Sequence, residues 1–204
     1  MADPAIKPPA AKAALAFPIH TIGFCGPAGA GKSTAAEHLV RHWRFSRVRF
    51  AGPLKAMLLA LGLDAEQVDG SRKEEPTPLL CGRTPRQAMQ WLGTEWGRNL
   101  IGDGFWIEAW RAAVEREGAR RGYGAVPLKL IVADDVRFAN EAKAIRDQGG
   151  IVVRIERRGA ASTSGGGHVS ERLDFEPDRV IRNDEDLVEF RAAIDALTLS
   201  LLEP

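Results

Sequence analysis

Apolar positions along the chain fall into two alternating patterns. Short runs rich in β-branched residues, at 20–25, 48–51, 128–133, 151–155 and 179–182, predict strands. Between them, apolar residues recur at helical spacing. Ala35, Ala36, Leu39, Val40 and Trp43 mark a helix over 33–43, and Leu54, Met57, Leu58 and Leu61 mark one after Pro53. Thr84 followed by Pro85 predicts a capped helix start running to about residue 100, with Met89, Leu92, Trp96 and Leu100 on one face. Ala144, Ile145 and Gln148 precede the stop signal Gly149-Gly150, and Leu187, Phe190, Ile194, Leu197 and Leu201 define a last helix. Strands alternating with helices predict an α/β fold of three α/β/α layers around a mainly parallel sheet, with ligands at the carboxyl ends of its strands.

Three segments break the pattern. Residues 1–18, rich in Ala and Pro, read as a loose N-terminal arm without the continuous apolar core of a secretory signal. Residues 64–84 are polar and interrupted by Pro76, Pro78 and Gly82, which marks an insertion. A Gly/Ser stretch over 159–167 reads either as a lid or as a surface loop. A chain of 204 residues suits one α/β core. The expectation is therefore a single domain over 19–204, with a helical insertion at about 50–110 and a small lid at about 157–175.

The chemistry begins where the first strand ends. Gly26-Pro27-Ala28-Gly29-Ala30-Gly31-Lys32-Ser33-Thr34 fits the phosphate-loop pattern G-x-x-x-x-G-K-[ST], between a strand and a helix as that pattern requires. Glycines let the backbone curl so that successive N–H groups converge on phosphate oxygens, and the following helix adds the positive end of its dipole. Lys32 is the candidate for the β- and γ-phosphates of ATP, and the Ser33 hydroxyl for Mg²⁺. The apolar run before Asp134-Asp135 places a carboxylate at a neighbouring strand end, either as a partner for Mg²⁺ or as a strand terminator. Adjacent strand residues point to opposite sides, so the spacing leaves open which of the two faces the metal.

In the helix after Pro85, Gln87, Gln90, Thr94 and Arg98 fall opposite the apolar face, with Trp91 beside them. Two amides, a hydroxyl and a guanidinium suit a base and a phosphate, or else an ordinary solvated face. Trp91 reads as a packing residue or a base platform, and Asn140 as a helix N-cap. A net charge of +1 supplies no broad basic field for a nucleic-acid polymer. Cys25 and Cys81 lack metal-ligand spacing and are expected to stay reduced in a cytoplasm, and no run is long enough to span a membrane. Nor is there an Asn-Lys-x-Asp string for guanine, which argues against a GTPase-like switch.

Four further segments accompany the phosphate loop: Phe50-Ala51-Gly52-Pro53-Leu54-Lys55, Thr84-Pro85-Arg86-Gln87 through Leu92-Gly93-Thr94-Glu95-Trp96-Gly97-Arg98, Asp135-Val136-Arg137-Phe138-Ala139-Asn140-Glu141, and His168-Val169-Ser170-Glu171. In this order, over about 19–201, the chain resembles the bacteriophage-type deoxynucleoside monophosphate kinases. The resemblance implies transfer of the γ-phosphoryl of ATP, with Mg²⁺, to a deoxynucleoside 5′-monophosphate. It implies that residues 26–34 hold ATP, and that Lys55, Arg86, Gln87, Gln90, Trp91, Thr94, Glu95 and Arg98 line the acceptor side. Asp135 and Arg137 would then lie between the nucleotides, with Asp135 and Ser33 toward the metal. Lys32, Arg137, Arg98 and Asp135 would carry the chemistry, and Arg157 or Arg158, with the segment to Glu171, would form the lid on the ATP side. Gly52 departs from an acidic residue expected there, and the lid is padded with glycine. The competing readings are a kinase for dephospho-coenzyme A or a sugar acid, and a nucleotide-gated switch; a homodimer stays open.

Overall fold

A computed structural model describes residues 19–120, 129–160 and 173–202. The expected arm at 1–18, and most of the expected lid including His168 through Glu171, lie outside them. The strands are β1 (Ile19–Cys25), β2 (Ser46–Arg47), β3 (Lys129–Ala133), β4 (Ile151–Glu156) and β5 (Arg179–Arg182). They form one sheet of order β2-β3-β1-β4-β5, parallel throughout. The helices are α1 (Lys32–Trp43), α2 (Gly52–Ala60), α3 (Ala65–Val68), α4 (Pro85–Gln90), α5 (Phe105–Arg120), α6 (Ala139–Arg146) and α7 (Leu187–Leu202). The chain leaves β1 for one side of the sheet and later returns to pair β4 on the other. The loop after β1 therefore opens at the switch point of an open α/β sheet, where such folds bind ligands.

Strand alternation sorts the core into two apolar layers. Phe24, Val132, Val153 and Ile155 pack with Leu39 of α1 and with Phe190 and Ile194 of α7. Ile131, Ala133 and Val152 face the other way, onto Trp110 and Val114 of α5 and Ile145 of α6. A Cβ on Gly23 would come within 2.4 Å of the Ile145 side chain, so glycine there lets α6 lie close on β1. A third cluster, of Leu54, Leu58, Leu63, Val68 and Trp106, holds the insertion together.

Several elements depart from the sequence expectations. The second strand covers Ser46–Arg47 and not the predicted 48–51, which it does not overlap. The Val48 carbonyl accepts from the Trp110 indole at 3.0 Å, and the amides of Phe50 and Ala51 donate to Asp135. Beyond Gln90 the helix rewinds as a π-helix over Trp91–Ile101. Its i→i+5 spacing carries the apolar stripe out of phase, leaving Leu100 73% and Ile101 53% exposed. The N-cap of α6 is Phe138 rather than Asn140, whose side-chain amide donates to Asp103 instead. The long helix α5, which covers one face of the sheet, had no counterpart among the predicted elements because its buried Trp106, Ile107, Trp110 and Val114 are spaced among many charges.

Candidate active site

Gly26, Gly29 and Gly31 all have positive φ, which only glycine adopts without strain. At Gly31 even a methyl group would meet the Asn183 amide at 2.5 Å. That amide, from the end of β5, donates to the Ala30 carbonyl at 2.8 Å and braces the loop. Among the described residues no side chain caps α1, so its first amides stay available to an anion. Lys32 folds back over the loop, and its ammonium donates to the carbonyls of Gly26 and Pro27 at 2.7 Å each. Burial, and then the charge of Arg137, holds that ammonium below its usual range, so these two cations lie within electrostatic reach. Beside Lys32 a cleft of about 350 Å³, the size of a small-molecule site, is lined by Gly29, Lys32, Thr34, Arg157, Asn183 and Phe190. Arg158 stands apart from it, tied to Asp184 through its own amide and its guanidinium. Gly26, Ala28, Ala30 and Ser33 complete the loop, and Cys25 sits beneath it with its thiol pushed up by burial.

Of the two carboxylates after β3, Asp134 is the one beside Ser33, whose hydroxyl donates to it at 3.0 Å. The expectation of Asp135 in that position does not match the geometry. Strand alternation turns Asp135 the other way, where its carboxylate accepts the amides of Phe50 at 3.0 Å and Ala51 at 2.9 Å. Burial raises the Asp135 carboxyl despite those amides. Burial also works against the Asp134 anion, but hydrogen bonds and charge from Arg47, then Arg49 and Ser33, outweigh it and hold the carboxyl low. The Ser33 hydroxyl and Asp134 carboxylate form an oxygen donor pair of the kind a hard divalent cation takes. Among the described residues no group of three His, Cys, Asp or Glu could hold a metal unaided, so a cation here needs phosphate or water ligands as well.

Arg98 is buried rather than set on an open helix face. Its guanidinium donates to Glu141 at 2.6 Å and to Asp103 at 3.0 Å, and its centre lies 3.6 Å from that of the Phe138 ring. Glu141, also buried, accepts the backbone amides of Arg137 at 2.8 Å and Phe138 at 3.2 Å. The pair thus fixes the backbone from which Arg137 projects. Burial pushes the Glu141 carboxyl up to about 7, against the pull of the Arg137 amide and Arg98. A carboxyl raised on folding stabilises the protein below its unfolded pKa and loses that contribution as pH rises through its folded value. Glu141→Gln is therefore expected to gain on wild type between about pH 4.5 and 7, by up to roughly 3 kcal/mol, in paired thermal melts. Parallel pH curves for the two proteins would refute this.

The other predicted acceptor residues are dispersed. Gln87 is engaged in a capping box, donating its amide N–H to Thr84 at 3.2 Å and accepting from the Thr84 amide at 3.1 Å. Arg86 pairs with Glu74, and Lys55 pairs with Asp69. Trp91 is 47% exposed, with the Arg83 guanidinium 5.8 Å from its ring centre. Gln90 and Thr94 are half-buried and Glu95 is exposed. Sequence reasoning overlooked Arg47, Arg49, Asn183 and Glu141. The spacing Arg47-Val48-Arg49 at a strand end, which puts both arginines on one side, could have flagged the first two. Nothing local marks Asn183, whose role comes from β5 lying two strands from β1.

Comparison with known proteins bears on this site. Over 183 residues the chain is 33% identical to a protein of Acanthamoeba polyphaga mimivirus provisionally named deoxynucleotide monophosphate kinase, covering 85% of this chain and 93% of that one. Among solved structures it is similar to shikimate kinase from Bacteroides thetaiotaomicron, at 13% identity and TM-score 0.45 over 89% of this chain and 98% of that chain. It is also similar to the APS kinase CysC of Mycobacterium tuberculosis, at 15% identity and TM-score 0.39 over 91% and 97%. The sequence profile described as deoxynucleotide monophosphate kinase matches residues 83–194, from the turn before α4 into α7, and so takes in Arg98, Asp134, Asp135, Arg137 and Glu141. The chain belongs to the deoxynucleotide monophosphate kinase family, and is a phosphotransferase.

Proposed function

We propose that the protein transfers the γ-phosphoryl group of ATP to a deoxynucleoside 5′-monophosphate, giving the diphosphate and ADP. The observation that carries this reading is a glycine loop of positive-φ turns that opens an uncapped helix N-terminus, with the Lys32 ammonium folded over it. Such an arrangement suits a highly charged anion. The loop of residues 26–34 would hold the ATP phosphates, and Arg137, on its braced backbone, would reach the group in transit. Ser33 and Asp134 would hold Mg²⁺, which supplies charge neutralisation on the phosphates when bound.

The reaction asks little covalent chemistry of the protein. A nucleoside monophosphate has a second pKa of about 6, so it is largely dianionic near neutrality and needs no general base. What opposes transfer is repulsion between two anions, and fixed cations and amides offset it without reorganising. Among the described residues, neither carboxylate at the end of β3 is placed as a base. Asp134 is occupied by arginines and Ser33, and Asp135 by backbone amides.

Coupled ADP-release assays across deoxy- and ribonucleoside monophosphates, with dephospho-coenzyme A and a sugar acid as further acceptors, test the proposal. Turnover is expected only when a deoxynucleoside monophosphate is present. Turnover confined to dephospho-coenzyme A or the sugar acid, or ATP hydrolysis indifferent to any acceptor, would overturn it.

A further inference from the structure

Arg49 joins the two halves of the site. Its Nε donates to Asp134 Oδ1 at 3.1 Å, and Asp134 in turn accepts from Ser33. Its Nη1 donates to Asp69 Oδ1 at 2.9 Å, and the same Asp69 oxygen takes the Lys55 ammonium. Two cations from different elements, one just past β2 and one in the first half of α2, thus converge on a single carboxylate oxygen contributed by the insertion. The cations are the more enclosed partners: the Arg49 and Lys55 side chains are 25% and 21% exposed, against 51% for Asp69. The approach is open as well. Among the described residues a Cβ on Gly52 would meet nothing within 4 Å, and no side chain caps α2.

We propose that Asp69 is an internal competitor for the acceptor's phosphate: its carboxylate occupies the Arg49–Lys55 pair and yields to the monophosphate, which those two cations then bind. Building on the kinase reading above, this assigns Arg49 to the acceptor side and gives Asp69 an inhibitory role. The physical case is an exchange of anions. An exposed ion pair contributes little, because solvent screens it and two long side chains must be held still, so expelling Asp69 is cheap. A phosphate dianion offers the same two cations twice the charge and three acceptor oxygens. Burial disfavours the Asp69 anion, but the hydrogen bonds and charges of Lys55 and Arg49 outweigh it and keep the carboxyl low, so the competitor stays charged at neutral pH. Arg49 keeps its second bond to Asp134 throughout, which holds the guanidinium in place as the anion changes.

Asp69→Asn separates competition from support, because the two roles have opposite signs. Competition predicts that KM for the deoxynucleoside monophosphate falls about two- to fivefold, with KM for MgATP unchanged. It also predicts that inorganic phosphate inhibits the variant more strongly, in competition with the monophosphate. An unchanged or raised KM would overturn the proposal and make Asp69 a brace for the two cations. If the wild type turned over no monophosphate, the proposed function would fail by itself. Calorimetric titration of inorganic phosphate into both proteins would still decide the role of Asp69: tighter binding to Asp69→Asn supports it, and equal or weaker binding defeats it. As Asp69 is half-exposed and outside the apolar clusters, the variant is expected to fold, which a thermal melt checks.

Discussion

Lys32→Ala is expected to lower kcat by about three orders of magnitude or more, while the protein stays folded. The ammonium is the charge set over the loop, 2.7 Å from two of its carbonyls and within reach of Arg137. A methyl group restores neither the charge nor its reach to the transferring group. Stability is expected to change by no more than about 1 kcal/mol, since the lost hydrogen bonds are offset by removing a partly buried cation from beside Arg137. Single-turnover phosphoryl transfer at saturating ATP, with thermal unfolding of the same preparation, measures both quantities. Activity within tenfold of wild type would remove Lys32 from the chemistry.

For Arg98→Ala the larger effect is expected in folding. Truncation strands the Glu141 carboxylate, buried and without its 2.6 Å partner, and breaking such a pair from one side costs about 3–5 kcal/mol. Glu141 has one escape. Its carboxyl already sits at about 7, and losing the guanidinium drives it higher, so the variant can take up a proton and bury a neutral acid instead. The destabilisation is accordingly expected to be greater at pH 8 than at pH 6. Adding Glu141→Gln is expected to recover part of the loss at pH 8. Urea unfolding of the single and double variants at both pH values measures these terms, and a loss below about 1 kcal/mol at pH 8 would show that the pair does not brace the fold.

The two variants also show how far the residue pattern could be read. Lys32 was legible because the phosphate loop is a local motif, whose glycine torsions, lysine and helix start lie within nine consecutive residues. Arg98 was misplaced because its polar face was laid out at about 100° per residue, whereas the segment winds with i→i+5 spacing and turns the guanidinium inward. The Asp134-Asp135 pair was visible as a strand end, but the side facing Ser33 depends on the direction of β3 in the sheet. Asp69 went unnoticed among the polar residues of the insertion, since its meaning comes from Arg49, twenty residues earlier in the chain.

What the amino-acid order determined alone is whatever depends on near neighbours: the alternating strands and helices, the glycine loop, the capped turn at Thr84 and the family-bearing segments. Hydrophobic period, allowed torsions and capping act over a few residues, so they survive without knowledge of the fold. Only the tertiary structure decided which charge meets which. It set Asp134 against Ser33, Glu141 against Arg98, and Asp69 between Arg49 and Lys55. Those pairings follow from strand order and side-chain burial, which bring together residues that the chain keeps far apart.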